Sequence, residues 1–128
     1  MNIEPYLLVD SLKAIISQRL IRCLCPSCKE KIKISKEDAS MFNLDENTSV
    51  YKAIGCGCCN KTGYLGRCGV YEVILIDEDF RNLIIDKSSI TKFKNLVKKK
   101  DYELMIDNGK SLVLDGKTSI EELKTLIN

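Results

Sequence analysis

Two pairs of cysteines constrain this chain more than any other feature of it. Cys25-Pro26-Ser27-Cys28 and Cys56-Gly57-Cys58-Cys59 each follow a C-x-x-C pattern, and 27 residues separate the pairs. Two thiolates at that spacing can turn toward one ion, and two such pairs complete a tetrahedral site with no open position. Pro26 is tolerated in the first knuckle because the N–H groups two and three residues after the first ligand can donate to its sulfur, while the next residue need not donate. The chain has no histidine, so a mixed Cys/His site is excluded. The expected ion at Cys25, Cys28, Cys56 and Cys59 is zinc. A rubredoxin-like iron centre or a redox dithiol uses the same spacing. A closed four-sulfur site is structural, so it describes how the chain is held together before it describes an activity.

With 128 residues, the chain suffices for one domain or two small subdomains and can bury roughly two-thirds of its unfolded surface. Its net charge of +2, with both signs spread along the sequence, argues against a dedicated nucleic-acid or anionic-membrane surface. No apolar run reaches the ~18 residues of a membrane span. The acidic start, Met1 to Pro5, is unlike a secretory signal. Seven cysteines in a chain without such a signal are expected to be reduced, which favours metal over disulfides.

Pro5 suits the first turn of a helix. Leu8, Leu12, Ile15, Ile16 and Leu20 then recur at helical spacing, which predicts a helix ending before Pro26, with Gln18, Arg19 and Arg22 outside its apolar stripe. A short helix is expected near 36–42, with Ser35 as cap and Asp38 three residues on. Tyr51 to Ile54 reads as a short strand. Five of the seven glycines lie between Gly55 and Gly69, which predicts a turning connection with little regular structure. Val70 to Ile76 reads as a strand and the remainder as helices. Asp77, Ser88 or Ser89, and Thr118 with Glu121 are the expected caps, and Gly116 is a stop signal. The fold expected is α+β: an N-terminal helix (1–24), a four-cysteine knuckle region with short strands (25–76) and a helical tail (77–128).

Other candidate features have ordinary explanations. Cys23, Cys58 and Cys68 fall outside the C-x-x-C frame and read as small apolar groups. Gly109-Lys110-Ser111 resembles the end of a phosphate loop, but Leu104 stands where the pattern needs glycine. Lys92, Lys94, Lys98, Lys99 and Lys100 read first as a solvated helix face, and otherwise as a contact for an acidic partner or lipid headgroups. No aromatic interrupts the Lys98–Lys100 run to offer a stacking platform for single-stranded nucleic acid. Without histidine no Ser/His or Cys/His pair exists, so no catalytic residue is expected, and with no other stretch offering a phosphate cradle no nucleotide-binding residue is expected. A free-standing zinc-ribbon module for nucleic acid is the alternative reading of the cysteines, with a dithiol oxidoreductase behind it.

Several segments, in order, carry a family resemblance: Ile3-Glu4-Pro5-Tyr6-Leu7, Ser17-Gln18-Arg19-Leu20-Ile21-Arg22, Leu24-Cys25-Pro26-Ser27-Cys28-Lys29, Cys56 to Cys59, Gly63-Tyr64-Leu65-Gly66-Arg67-Cys68-Gly69-Val70-Tyr71-Glu72, and Asp115-Gly116-Lys117-Thr118-Ser119-Ile120-Glu121-Glu122-Leu123. Together they resemble the C-terminal part of the type II secretion and type IV pilus assembly ATPases over nearly the whole chain. The resemblance implies that residues 1–24 close a RecA-like nucleotide-binding core that these residues do not include. It implies ATP and magnesium in the parent protein only, and zinc on Cys25, Cys28, Cys56 and Cys59. It also implies a homohexamer at the cytoplasmic face of the inner membrane, with polytopic platform proteins and other motor subunits as partners. Cys68 stands where the family usually has threonine, and Cys23 and Cys58 are additions. Retraction motors generally lack the cysteine pairs, so the resemblance favours an extension or assembly motor.

Overall fold

The computed structural model describes residues 2–127. In chain order it comprises α1 (Pro5–Ser11), β1 (Ala14–Leu24), β2 (Glu30–Lys33), α2 (Lys36–Phe42), β3 (Ser49–Lys52), a single 3₁₀ turn (Gly57–Cys59), β4 (Tyr64–Leu75), α3 (Glu78–Ile85), α4 (Ile90–Lys99), α5 (Met105–Leu114) and α6 (Ile120–Lys124). The expected mixture of helices and small sheets is present. β1 is hydrogen-bonded to β4, and β2 to β3. β2 and β3 run antiparallel, with Lys31 opposite Tyr51 and Ile32 opposite Val50.

The N-terminal helix is much shorter than its apolar spacing predicts. It ends at Ser11, and Ala14–Leu24, including Gln18 to Arg22, is a strand. The residues that repeat at helical spacing are not the buried ones: Ile16 is 66% and Leu20 60% exposed, whereas Ile21 and Leu24 are buried. Three isoleucines give this stretch β preference. What decides the matter is β4, which pairs with it from some 50 residues further on. The same pairing corrects the glycine-rich segment. Tyr64 to Gly69 is the first half of β4 and not a connection.

The caps follow the sequence closely. The hydroxyl of Ser35 accepts from the N–H of Asp38 at 3.1 Å, that of Ser89 from Lys92 at 3.4 Å, and the carboxylate of Asp77 from Phe80 at 3.3 Å. α5 ends in a Schellman closure, with Lys117 N–H on the Leu112 carbonyl at 2.9 Å and Gly116 N–H on Val113 at 3.0 Å. One cap moves by a residue. Ser119, not Thr118, opens α6, and its hydroxyl accepts from Glu122 N–H at 3.3 Å. Thr118 is drawn elsewhere, donating to the Arg22 carbonyl at 2.7 Å.

The chain forms two compact units, neither continuous in sequence. One comprises 1–17 and 72–104, the other 18–71 and 105–128. The first is built on Ile74, Ile76, Phe80 and Val97, with Leu12, Ile15, Phe93 and Tyr102 packed against them. Phe80 is fully buried and its ring centroid lies 4.8 Å from that of Phe93. Burying such a ring contributes about 1.5–3 kcal/mol. The second unit is built on Ile34, Ala39, Phe42, Val50, Val113, Ile120 and Leu123. Gly109 lies inside α5, buried, where an added Cβ would come within 2.7 Å of Leu123 and 2.8 Å of Leu126. The glycine of Gly109-Lys110-Ser111 thus serves the packing of α5 against the chain's end, in a helix and not in a loop.

Candidate metal centre

Both knuckles and their surroundings lie in the second unit. Cys25 follows the last residue of β1, and Lys29 alone separates Cys28 from β2. Cys56 to Cys59 form the 3₁₀ turn and its cap, between β3 and β4. Strand pairing therefore delivers the two loops to one place. The four sulfurs all lie within 4.8 Å of one another. Cys25 and Cys56 are 3.8 Å apart, Cys28 and Cys59 3.9 Å, and Cys56 and Cys59 3.8 Å. Four sulfurs held tetrahedrally at about 2.3 Å from one ion sit about 3.8 Å from each other. A disulfide needs about 2.05 Å, and all seven cysteines are free thiols. The spacing fits a four-thiolate metal centre. Cys25 and Cys59 are buried, and Cys28 and Cys56 half-buried.

The backbone completes the shell around the sulfurs. Gly55 N–H donates to Cys28 Sγ at 3.3 Å, Cys56 N–H to Cys59 Sγ at 3.2 Å, and Gly63 N–H to Cys59 Sγ at 3.1 Å. In the second knuckle the N–H groups of Cys58 and Cys59 turn toward Cys56 Sγ, the arrangement expected for both knuckles. In the first, the N–H groups of Cys28 and Lys29 go to the Cys25 carbonyl. These donors act on the thiols unequally. Burial would push Cys59 up, but the N–H groups of Cys56 and Gly63, together with the thiols of Cys56 and Cys28, outweigh it and bring its pKa down to about 6. Cys56 is also lowered, its backbone donors again overcoming burial. Cys28, with one N–H donor, is carried up to about 11 by burial and by the neighbouring thiols. Donors aimed at sulfur favour the anionic form that binds metal.

Gly63 holds this arrangement by its backbone alone. Its φ is +79°, and a Cβ there would meet Ala53 Cβ at 2.6 Å and Ile54 N at 2.9 Å. Its N–H reaches Cys59 Sγ, while its carbonyl accepts from Cys25 N–H at 2.9 Å. One residue so joins the two knuckles.

A second constellation, whose joining the sequence does not reveal, backs the cysteines. The carboxylate of Glu122 accepts from Arg22 N–H at 2.8 Å and from Arg22 Nε at 2.9 Å. The Arg22 guanidinium lies 4.0 Å from the centroid of Tyr64, whose hydroxyl is 2.8 Å from Ser119 Oγ. Leu24 N–H donates to the Lys117 carbonyl at 2.8 Å, and Lys29 Nζ to that of Gly116 at 2.7 Å. The segment 116–122 is thus clamped against the first knuckle. Its members are far apart in sequence, and only the motif segments that contain them hinted at a shared role.

Cys23, Cys58 and Cys68 are not in the cluster. Cys58 is exposed on the 3₁₀ turn, its contribution being its N–H. Cys68 on β4 is half-buried, and burial, with Cys23 beside it, pushes its thiol up to about 11.

Fold and site define a small α+β region organised around a closed four-cysteine centre. The sequence model described as Type II/IV secretion system protein matches residues 1–125, and the chain belongs to that family. It is 35% identical over 125 residues to the type II secretion system protein E of Pseudomonas aeruginosa, covering 96% of this chain and 25% of that protein. With its counterpart in Dickeya dadantii it shares 39% identity over 123 residues, again over 96% of this chain and 24% of the other. With the type IV pilus assembly ATPase PilB of Thermus thermophilus it shares 32% over 127 residues, covering 96% of this chain and 14% of that protein. The chain therefore spans a quarter or less of the length of these relatives. Among the described residues no helix is long and apolar enough to cross a membrane.

Proposed function

We propose that this chain is the zinc-binding C-terminal part of an ATP-driven motor for type II protein secretion or type IV pilus assembly. The observation that carries the reading is the four-thiol cluster, spaced for one tetrahedral ion, in a chain that matches the family along its length. Cys25, Cys28, Cys56 and Cys59 would hold zinc. The ion would supply a cross-link between the loops that follow β1 and β3, and no chemical step is assigned to it. Residues 1–24 would close the nucleotide-binding core, which would take ATP and magnesium elsewhere in the parent protein. The parent would act as a homohexamer at the cytoplasmic face of the membrane, against a polytopic platform protein and other motor subunits.

The mechanical role follows from the bracing. Arg22, at the end of β1, is tied to Glu122 and Tyr64 on one side of the first knuckle, and Gly63 ties the two knuckles together. A region so fixed transmits displacement without absorbing it. Metal content and turnover, measured together, test the proposal. The purified chain is expected to hold one zinc, and Cys25→Ser to remove it. In the full-length motor Cys56→Ser is expected to lower assembly or ATP turnover, with little change in nucleotide affinity of the folded fraction. Normal turnover with lost partner binding would mark the region as a docking module and not a brace. A chain free of zinc and iron would overturn the metal assignment.

A further inference from the structure

In the first unit, away from the cysteines, α4 borders a groove of about 390 Å³. Its floor is apolar: Ile74 from β4, Phe93 and Val97 from α4, and Leu104. The volume lies within the roughly 300–1,000 Å³ of sites that take sizeable apolar groups. Ile90 stands at one end, 74% exposed, although it is a large aliphatic side chain on a helix whose other apolar residues, Phe93, Leu96 and Val97, turn inward. Lys94 and Lys98 are exposed and line the groove one helical turn apart. Like charges at that spacing destabilise an isolated helix.

The charge of this element is one-sided. From Lys87 to Lys100 the sequence holds six lysines and no acid. Lys100 is engaged, bridging Asp77 at 2.6 Å and Asp79 at 2.7 Å. Lys94 and Lys98 have no ion-pair partner among the described residues. Glu72, also at the groove, is half-buried, so the exposed charges on the rim are those of Lys94 and Lys98.

We propose that this groove is a docking site for an acidic amphipathic segment of a partner protein. Large apolar side chains of that segment enter between α4 and β4, and its carboxylates meet Lys94 and Lys98. Concavity favours this occupant over a lipid surface, because the apolar floor lies between the lysines and β4, and a flat bilayer meets projecting groups and not recessed ones. Residues 90, 93, 94, 97 and 98 follow the helical repeat over about two turns, roughly 12 Å of groove edge. That length matches the i, i+4, i+7 anchors of a bound helix. The site is independent of the metal and of the motor assignment.

The test titrates the chain into a dye-labelled synthetic helix of about fourteen residues, roughly 21 Å long, with Leu and Phe at i, i+4 and Glu on the flanks. Fluorescence anisotropy is the readout. Saturable binding is expected, weakening with added salt. The double variant Lys94→Glu/Lys98→Glu should weaken it at least about tenfold, and Ile90→Ser several-fold. Both changes are at exposed positions, and an unchanged melting temperature shows that the fold survives. Four results would overturn the proposal: equal binding of a scrambled peptide, no effect of either variant, lysine-dependent binding to phosphatidylglycerol vesicles without peptide binding, or self-association of the chain abolished by the same lysine reversal.

Discussion

Arg22 holds the carboxylate of Glu122 with its backbone as well as its side chain. The N–H of Arg22 reaches Oε2 at 2.8 Å, while Nε and Nη2 reach Oε1 at 2.9 and 2.7 Å. The Glu122 side chain is only 8% exposed, whereas that of Arg22 is 53% exposed. Removing the acid therefore strands a backbone donor beside the first knuckle more than it exposes a charge. Glu122→Ala is expected to destabilise by about 1–3 kcal/mol, the usual cost of an unsatisfied buried partner. Glu122→Gln keeps an acceptor for the N–H and should lose less. Urea unfolding of the three proteins checks the order, and equal stability of wild type and Glu122→Ala would show that the contact contributes nothing.

Zinc removal should disorder the knuckles before the helices. Apparent binding energies of about 10–16 kcal/mol for structural zinc in small peptides match or exceed the net stability of about 5–15 kcal/mol of an ordinary domain. The second unit holds the cluster, and the first unit has its own core around Phe80. Chelation followed by amide hydrogen exchange is expected to lose protection at Gly55, Cys56 and Gly63 first, with α3 and α4 retained. Uniform loss across both units would show that they fold as one.

Gly63→Ala should weaken the centre without touching a cysteine. Alanine at φ +79° is strained, and its Cβ has backbone and Ala53 within 3.0 Å. Strain of this kind costs about 1–3 kcal/mol. The expected result is faster loss of zinc to a competing chelator, with the four thiols intact. An unchanged exchange rate would mean that the Gly63 N–H and carbonyl do not hold the knuckles.

The pair Asp38 and Lys124, 2.7 Å apart, should give an acid-dependent stability. Lys124, foremost, holds the Asp38 carboxyl below its ordinary value of 3.8 against the opposing effect of burial, and Ser35 assists. A carboxyl lowered on folding stabilises above its unfolded pKa and loses that contribution as pH falls through the folded one. The melting-temperature difference between wild type and Asp38→Asn is thus expected to be constant above about pH 5 and to shrink below 3.8. Lys124 is raised in turn, so its share persists through neutral pH and is lost only in strong alkali. A difference that grows on acidification would contradict the pairing.

The chain itself should not take magnesium-ATP through Gly109-Lys110-Ser111. That tripeptide lies in α5, with Gly109 packed toward Leu123 and Leu126, so its N–H groups serve the helix and cannot cradle a phosphate. Calorimetric titration is expected to give no saturable heat. A micromolar dissociation constant abolished by Lys110→Ala would reverse this conclusion.

Local chemistry was legible in the residues themselves. Ser35, Asp77 and Ser89 cap the helices they precede, because a cap needs only a side chain and an N–H three residues on. Cys25, Cys28, Cys56 and Cys59 could be grouped from spacing, because two thiolates in C-x-x-C are neighbours in any fold that binds metal. The stretch from Leu12 to Leu24 was not legible, since its apolar residues satisfy a helical repeat and its β-branched ones a strand. Hydrogen bonds from β4, donated some 50 residues away, chose between them. The same holds for the shift of the α6 cap from Thr118 to Ser119, which follows from Thr118 being drawn to the Arg22 carbonyl. Residues that act on close neighbours along the chain announce themselves in sequence; those whose partners arrive from another element, such as Arg22 with Glu122, acquire their roles only when the chain has folded.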